Sequence, residues 1–264
     1  GPSRREMRQE PVVALLTDFG TRDWYVASMK GVILTRCARA RIVDITHDVP
    51  PYDITAGALI LAAVAPWFPR GTVFVGVVDP GVGSRRALVA AEADRQYFVG
   101  PDNGLLALAL ARARRKRIVR LSRSAPGRPA VSRTFHGRDI LAPVAAHLAG
   151  GGSLQSLGVL TRHVQPVVMP RVRQQGRRRI GCVLHIDAFG NLITNLPSVW
   201  LRGGASAVRY RRRRVRVVRA YAEGKPRELV AVGGSLGWIE LAVFNGSAAR
   251  RYHAKRDDPV ELIA

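Results

Sequence analysis

The chain has 264 residues, 47% of them hydrophobic, and a formal net charge of +23. Its length suffices for one large domain or two ordinary ones, with a core that needs no covalent cross-links. Its two cysteines, Cys37 and Cys182, form no C-x-x-C or Cys/His cluster, which excludes a disulfide framework, argues against a thiolate metal site and favours a cytoplasmic protein.

The first part of the chain alternates β-rich runs with helical segments. Residues 1–10 are charged and lack the apolar core of a signal peptide, so none is expected. Strands are predicted at residues 12–17, 41–46, 72–78, 87–92, 96–100 and 117–122, and helices at residues 25–37, 53–68, 105–115 and 138–151. Continuously apolar strands separated by helices predict an α/β domain whose sheet is buried on both faces.

The most apolar of these helices raises the question of a membrane segment. Residues 54–68 read ITAGALILAAVAPWF and include a proline. A bilayer crossing needs roughly 20 apolar residues, so this run is too short. We interpret it as a buried helix and expect no association with a membrane.

The composition changes after the α/β region. Residues 11–165 are assigned to the N-terminal domain, and residues 166–178, rich in Pro, Gln and Arg, to a linker. Residues 179–264 contain short β-like runs and little helical periodicity. They predict a small C-terminal domain, either a β-barrel or a sandwich.

One of the C-terminal runs, YRRRRVRVV at residues 210–218, concentrates the positive charge of the chain. Its alternation predicts a strand with an arginine face in solvent. The charge itself has two interpretations: a polyanionic partner such as nucleic acid, or an ordinary surface decorated with arginine. Zinc-finger spacing, a basic zipper and an aromatic-rich sheet motif are absent from the sequence, which argues against a standard nucleic-acid-binding module.

Acidic residues follow three of the predicted strands. Asp18 ends LLTD, Asp44 and Asp53 bracket IVDITHDVPPYD, and Asp79 opens the DPGVGSRR turn. Each alone is a common turn or cap residue. In α/β sheets, however, ligands bind where the carboxyl ends of strands converge, so three polar strand ends together predict a site.

Two further motifs carry polar groups that are compatible with a plain turn or cap. In TFHGRD, His136 precedes an apolar helix, with no serine or cysteine elbow to suggest an enzyme nucleophile. In HIDAFGNLITN, Asp187, Phe189 and Asn191 share a turn that is either a simple hairpin or a holder for a nucleobase, by stacking and edge hydrogen bonds. No spacing of ligands predicts a metal.

Taken in order, six stretches resemble the S-adenosyl-L-methionine (SAM) hydrolases, also called SAM hydroxide adenosyltransferases, which are related to fluorinating and chlorinating enzymes. The stretches are LLTDFGTRDWYVASMKGVI, IVDITHDVPPYDI, GTVFVGVVDPGVGSRR, FVGPDNG, FHGRDILAPVAAHL and IDAFGNLITN. The resemblance implies an N-terminal α/β domain, sandwich-like in its layers, followed by a small β-barrel. It also implies a homotrimer that binds SAM between subunits, as substrate and with no cofactor.

The resemblance assigns roles to particular positions. The family's catalytic Asp, Arg and His fall on Asp79, Arg86 and His136. Its substrate-binding positions fall on Asp18, Tyr52, Phe135, Asp187, Phe189, Asn191, Tyr221 and Ser235. These residues would hold the ribose, the adenine and the methionine portion of SAM. Leu236 occupies the position of an arginine in the halogenating branch, so the chain departs from that branch where the methionine carboxylate would be contacted.

The expected reaction is attack of water at C5′ of SAM to give adenosine and methionine. Two other functions stay open from sequence: a halogenase of the same fold that uses halide in place of water, and a nucleic-acid-binding protein that uses the basic surface without turnover. Products formed with halide present distinguish the first, and salt-sensitive binding to oligonucleotides without SAM consumption distinguishes the second.

Overall fold

The computed structural model of the protein describes residues 10–122, 132–203 and 207–263. The N-terminal residues for which no signal peptide is expected lie almost entirely outside these ranges. The chain divides into two compact units, with the boundary between Val168 and Met169. The segment predicted as a linker contains one short strand, Arg173–Gln175.

The first unit contains a seven-stranded sheet of order β2-β1-β3-β5-β4-β6-β7. Its strands are β1 Val12–Thr17, β2 Arg41–Thr46, β3 Val73–Val77, β4 Leu88–Ala93, β5 Gln96–Pro101, β6 Lys116–Leu121 and β7 Gly158–Thr161. The strands β2, β1, β3 and β5 are mutually parallel. The strands β4, β6 and β7 are added antiparallel.

Helices cover both faces of this sheet. They are α1 Tyr25–Arg36, α2 Ile54–Val64, α3 Ala107–Ala111 and α4 Ala142–Ala149. Because successive side chains of a strand point to opposite faces, Val13 and Leu15 of β1 pack in one core cluster with α1 and α4. Ala14 and Leu16 pack in the other cluster, with α2 and α3. The predicted α/β domain with a sheet buried on both faces is confirmed.

Two predicted helices differ from what the sequence pattern indicates, one in length and one in the type of its first turn. The helix predicted at residues 105–115 is α3 alone, because the Asp94 carboxylate captures the backbone N–H groups of Arg114 and Arg115. The helix predicted at residues 138–151 begins with a π-helical turn, Gly137–Leu141, before α4. Such π turns often occur at functional positions in proteins. Within the described residues, no helix combines the length and apolar character that a bilayer crossing requires.

The second unit is a β-barrel, as predicted. Its strands are β8 Arg173–Gln175, β9 Arg178–Ile186, β10 Leu192–Pro197, β11 Ala207–Tyr210, β12 Arg213–Val217, β13 Leu229–Gly233, β14 Trp238–Val243 and β15 Pro259–Ile263, with α5 Ala248–Tyr252 before the last strand. Pairing of β9 with β10 closes the seven strands other than β8 into a barrel. The strand β8 is added on the edge of β9.

The arginine-rich run predicted as one strand is instead a hairpin of β11 and β12. Arg211 and Arg212 form its two-residue turn with φ of 48° and 63°, the backbone of a type I′ turn. The physical reason is the register of the core. A single strand with Val208 and Tyr210 inward would also bury Arg214, whereas the turn shifts the alternation so that Val215 enters the core.

Candidate active site

The parallel strands of the first unit bring three polar segments to one edge of the sheet. The strands β1, β2 and β3 run side by side in the same direction, so their carboxyl ends meet. Asp18 follows β1, and Asp79 lies just beyond the end of β3. Tyr52 lies in the loop after β2, immediately before the Asp53 cap of α2. The sheet thus groups residues that are far apart in sequence.

Arg86 contacts both Asp79 and His136 at this edge. Arg86 Nε donates to Asp79 Oδ1 at 2.6 Å, and Arg86 Nη2 makes a second, short contact with Asp79 Oδ2. The same Nη2 lies 3.0 Å from His136 Nδ1. The Arg86 and Asp79 side chains are only 10% and 5% exposed. A buried, two-point ion pair therefore holds the guanidinium in a fixed orientation against the imidazole.

Glycines allow this approach. Gly83 has φ of +81°, and a Cβ there would stand 2.5 Å from the carbonyl oxygen of Arg133. The turn after β3 therefore touches the segment that leads into His136, and a side chain at position 83 would push the two apart. A Cβ on Gly81 would lie 3.2 Å from the Arg86 side chain. The glycines of DPGVGSRR serve close packing around the ion pair.

The electrostatics of His136 follow from its partner. A guanidinium has only N–H donors, so His136 Nδ1 accepts from Arg86 and the hydrogen of the neutral ring lies on Nε2. Burial and then the charge of Arg86 lower the pKa of His136, against the opposing effect of Asp79 and Asp139. Neutral His136 is therefore favoured near pH 7, with Nε2–H left as a donor.

Asp18 and Tyr52 are joined directly. The backbone N–H of Tyr52 donates to Asp18 Oδ2 at 2.9 Å, and Tyr52 has φ of 65°. This is an unusual backbone for an aromatic residue, and its side chain is 71% exposed. Burial raises the pKa of Asp18, the Tyr52 hydrogen bond lowers it, and the nearby Asp79 charge raises it. The two carboxylates therefore share one electrostatic environment.

A buried polar network holds the Asp18 turn from behind. Thr17 Oγ1 lies 2.8 Å from His47 Nδ1, and Gly20 N donates to the His47 carbonyl at 2.7 Å. The other ring nitrogen of His47 is 3.0 Å from Asp44 Oδ1. Asp44 in turn pairs with Lys30. His47 thus ties the loop after β2 to the turn after β1.

Aromatic rings surround the His136 segment. Phe135 packs edge-on against Phe19 and Tyr25, with ring centroids 5.9 and 5.2 Å away. Trp24, 65% exposed, stacks at a tilt on Tyr25. Phe135 is a predicted site residue, whereas Phe19, Trp24 and Tyr25 were not singled out. These three residues could have been found in the sequence, because they lie in the same TDFGTRDWY stretch as Asp18.

In the barrel, the turn after β9 is built around one carboxylate. Asp187 Oδ1 accepts from the backbone N–H groups of Phe189 and Asn191, and its Oδ2 accepts from the Asn191 side chain at 2.9 Å. Gly190, with φ of +84°, completes the turn. Phe189 is 79% exposed. The carboxylate is thus engaged within its own turn, while the aromatic ring projects into solvent.

Tyr221 and Ser235 lie on other connections of the barrel. The Tyr221 hydroxyl donates to Glu240 through a short contact, and burial followed by this bond raises the pKa of Tyr221. Burial also raises the pKa of Glu240, and nearby Asp187 adds to that shift. Ser235 lies in the turn between β13 and β14. Sequence reasoning missed Glu240, whose signal was a lone acid within the apolar run WIELAVF.

The predicted site residues therefore form two groups, one in each unit. Asp18, Tyr52, Asp79, Arg86, Phe135 and His136 gather at the carboxyl edge of the sheet. Asp187 and Tyr221 are close to Glu240 in the barrel. Phe189 and Asn191 share the turn of Asp187, and Ser235 lies on a separate turn of the barrel. The first group offers N–H donors fixed by a buried ion pair, an arrangement that stabilises negative charge on an oxygen.

Comparisons with known proteins identify the family of the chain. A model of the SAM hydroxide adenosyltransferase N-terminal domain matches residues 13–158, and one of the C-terminal domain matches residues 181–261. A (R)-S-adenosyl-L-methionine hydrolase of Thermus thermophilus is 40% identical, over 95% of this chain and 99% of that protein. A fluorinase of an Actinoplanes species is 29% identical, over 70% of this chain and 72% of that protein.

A solved structure has the same fold as this chain. The crystal structure of an uncharacterized conserved protein from Thermotoga maritima superposes with a TM-score of 0.86 at 33% identity, covering 96% of this chain and 100% of that one. The resemblance deduced from the six motifs is confirmed. Together, the two domain matches and the near full-length relatives show that the chain belongs to the SAM hydroxide adenosyltransferase family.

Proposed function

We propose that this protein hydrolyses SAM to adenosine and L-methionine by attack of water at C5′ of the ribose. The observation that carries the proposal is that Arg86 contacts both Asp79 and His136 at the carboxyl edge of the sheet. The near full-length similarity to proteins named (R)-S-adenosyl-L-methionine hydrolase supports the same substrate.

The leaving group of this reaction needs no assistance from the enzyme. The sulfur of SAM is a sulfonium, so it departs as a neutral thioether when the C5′–S bond breaks, and no general acid is required. The oxygen of water forms the new bond to C5′, and one proton is released overall. The protein must align the water with the C5′–S bond and stabilise its hydroxide character, and alignment alone can contribute on the order of 7–11 kcal/mol.

Arg86 and His136 are suited to the second task. The guanidinium and the Nε2–H of neutral His136 are both donors, so they favour the hydroxide form of the bound water, whose proton passes to solvent. Asp79 receives two N–H groups of Arg86 and so fixes its orientation. In this assignment Arg86 and His136 contact the attacking oxygen, and Asp79 positions Arg86.

Other residues receive binding roles. Asp18 holds the ribose hydroxyls, and Tyr52 and Phe135 flank the sugar. Asp187 receives the methionine ammonium, Phe189, Asn191 and Tyr221 frame adenine, and Ser235 holds the methionine end. The exposed rings of Tyr52 and Phe189 are available for such contacts. No resident cofactor or metal enters this scheme, so chelators should leave the rate unchanged.

The proposal includes a cytoplasmic homotrimer. Two buried free thiols, Cys37 and Cys182, are consistent with a reducing compartment. Trimerisation is what the family resemblance implies, with each SAM bound between two subunits.

The test is to incubate pure protein with SAM in buffer, in chloride and in fluoride, and to separate the products by chromatography. Adenosine and methionine in equal amounts under all three conditions are expected. A 5′-halo-5′-deoxyadenosine would identify a halogenase. If SAM is not consumed, the proposed activity is wrong.

A further inference from the structure

Four arginines lie on the outer face of the barrel sheet, on strands of the consecutive run β12-β11-β15-β9-β8. We call Arg173 of β8, Arg178 of β9, Arg209 of β11 and Arg214 of β12 the arginine strip. Each is exposed in the full chain. Arg209 and Arg214 alternate with the buried Val208, Tyr210 and Val215, so their side chains point away from the core.

The sheet register places these residues in rows. Arg214 lies opposite Arg209, and Arg209 lies opposite Glu261 of β15. Glu261 lies opposite Ile180, which lies opposite Arg173. Arg178 is two residues from Ile180 on the same face. The row crosses four strand spacings, so the strip extends about 19 Å along the sheet at ~4.8 Å per spacing.

The strip carries more positive charge than its surroundings balance. Among the described residues, none of the four arginines has a carboxylate within ion-pair distance, in contrast to Arg216, which is paired with Glu228. Glu261 is the one carboxylate in these rows. Like charges directly opposite one another on a sheet, such as Arg209 and Arg214, destabilise the folded chain. An anionic partner would offset that repulsion.

The length of the arginine strip indicates which kind of partner it fits. A single phosphate spans only one or two of these arginines, whereas a polymer with regularly spaced charges can reach all four. Binding to a membrane surface is strengthened by apolar side chains that insert beside the basic ones. The outward positions of the rows contribute none of the highly exposed large hydrophobic residues. From this geometry we propose that the arginine strip binds the sugar–phosphate backbone of nucleic acid.

The proposal makes a quantitative statement about salt. Each neutralised phosphate of duplex DNA contributes about −0.9 to the slope of log K against log salt. Four arginines therefore contribute about −3.6, which is a loss of about 150-fold in affinity between 50 and 200 mM salt. Because the contacts are with the backbone, the affinity should vary little with base sequence.

The experiment measures fluorescence anisotropy of a labelled 20-base-pair duplex of random sequence with the full chain. The strip variant carries Arg173→Gln, Arg178→Gln, Arg209→Gln and Arg214→Gln. The control variant removes the same charge from exposed arginines elsewhere: Arg39→Gln, Arg120→Gln, Arg162→Gln and Arg219→Gln. We expect the strip variant to lose at least tenfold affinity at 50 mM salt, with a slope shallower by about 3.6. The control should lose far less.

Several outcomes overturn the proposal. These are no duplex binding by the unchanged protein at 50 mM salt, equal losses in the two variants, or binding to phosphatidylserine vesicles in place of duplex. Retained SAM turnover and thermal stability show that the variants are folded. If the fourfold variant does not fold, Arg209→Gln with Arg214→Gln removes the repulsive pair and should change the slope by about 1.8.

Discussion

Arg86 is the residue on which the candidate site depends most. Its guanidinium makes two contacts with Asp79 and one with His136 from a side chain that is mostly buried. A lysine ammonium is a point charge that cannot reproduce this planar fork. The geometry therefore requires arginine at this position and not simply a positive charge.

Replacing Arg86 by lysine tests that requirement. Removing one preorganised donor from a site of this kind costs about 10²–10³ in rate, so Arg86→Lys should lower kcat at least 100-fold while the protein stays folded. The exposed neighbour Arg85 supplies the matched control, and Arg85→Lys should stay close to the unchanged rate. The measurement is the rate of adenosine release at saturating SAM for both variants and the unchanged protein. Near-normal turnover by Arg86→Lys would remove Arg86 from the mechanism.

The pH dependence of the rate follows from His136. Burial and the charge of Arg86 lower the pKa of His136 from the ordinary 6.5, and the neutral ring is the form that accepts from Arg86. The rate should therefore be constant near neutral pH and fall only as the pH drops through the lowered pKa.

Variants separate His136 from the other titrating groups. In His136→Gln the decrease of kcat at acid pH should disappear. In Asp18→Asn this decrease should remain, although SAM binds more weakly. A kcat profile with an acid limb centred above pH 6.5 would contradict the assignment.

At the scale of elements, the loop between β3 and β4 is built by glycine. Gly83 of this loop and Gly71, which precedes β3, both adopt a left-handed backbone, with φ of +81° and +83°. They differ in their surroundings: a Cβ on Gly83 would stand 2.5 Å from the Arg133 carbonyl, whereas a Cβ on Gly71 would meet nothing within 4 Å. This difference makes them a matched pair.

Alanine at each glycine separates backbone strain from loop contact. Gly71→Ala should cost about 1–2 kcal/mol in the free energy of unfolding, because a left-handed backbone is unfavourable for alanine, and should keep its kcat. Gly83→Ala should lose more stability and at least tenfold in kcat, because Arg133 leads into His136. Thermal unfolding and adenosine release measure the two effects. Equal behaviour of the variants would show that the contact has no catalytic role.

Much of this architecture could be predicted from local sequence. The apolar runs located the strands of the α/β sheet, and the parallel order placed Asp18 and Asp79 at one edge. The hairpin at Arg211 was not predicted because its turn lies within a run of arginines, where no Gly, Asn or Asp indicates a turn. The turn follows only from which residues enter the core. Glu240 was missed because its meaning depends on Tyr221 and Asp187, which strand pairing brings close to it. The tautomer of His136 also required the contact with Arg86.

At the scale of the whole molecule, the proposed homotrimer makes a simple prediction. Light scattering coupled to size-exclusion chromatography should give three times the 28.8 kDa of one chain. If each SAM site needs residues from two subunits, the specific activity should fall on dilution below the trimer's dissociation range. A monomer with undiminished activity would contradict the shared site.

The central claim is that solvent oxygen attacks C5′ of SAM, and isotope labelling tests it most directly. Turnover in H₂¹⁸O, followed by mass spectrometry of both products, should place one ¹⁸O in the 5′-hydroxyl of adenosine and none in methionine. Label in the amino-acid product, or adenosine without ¹⁸O, would show that a different bond is cleaved or that water is not the nucleophile.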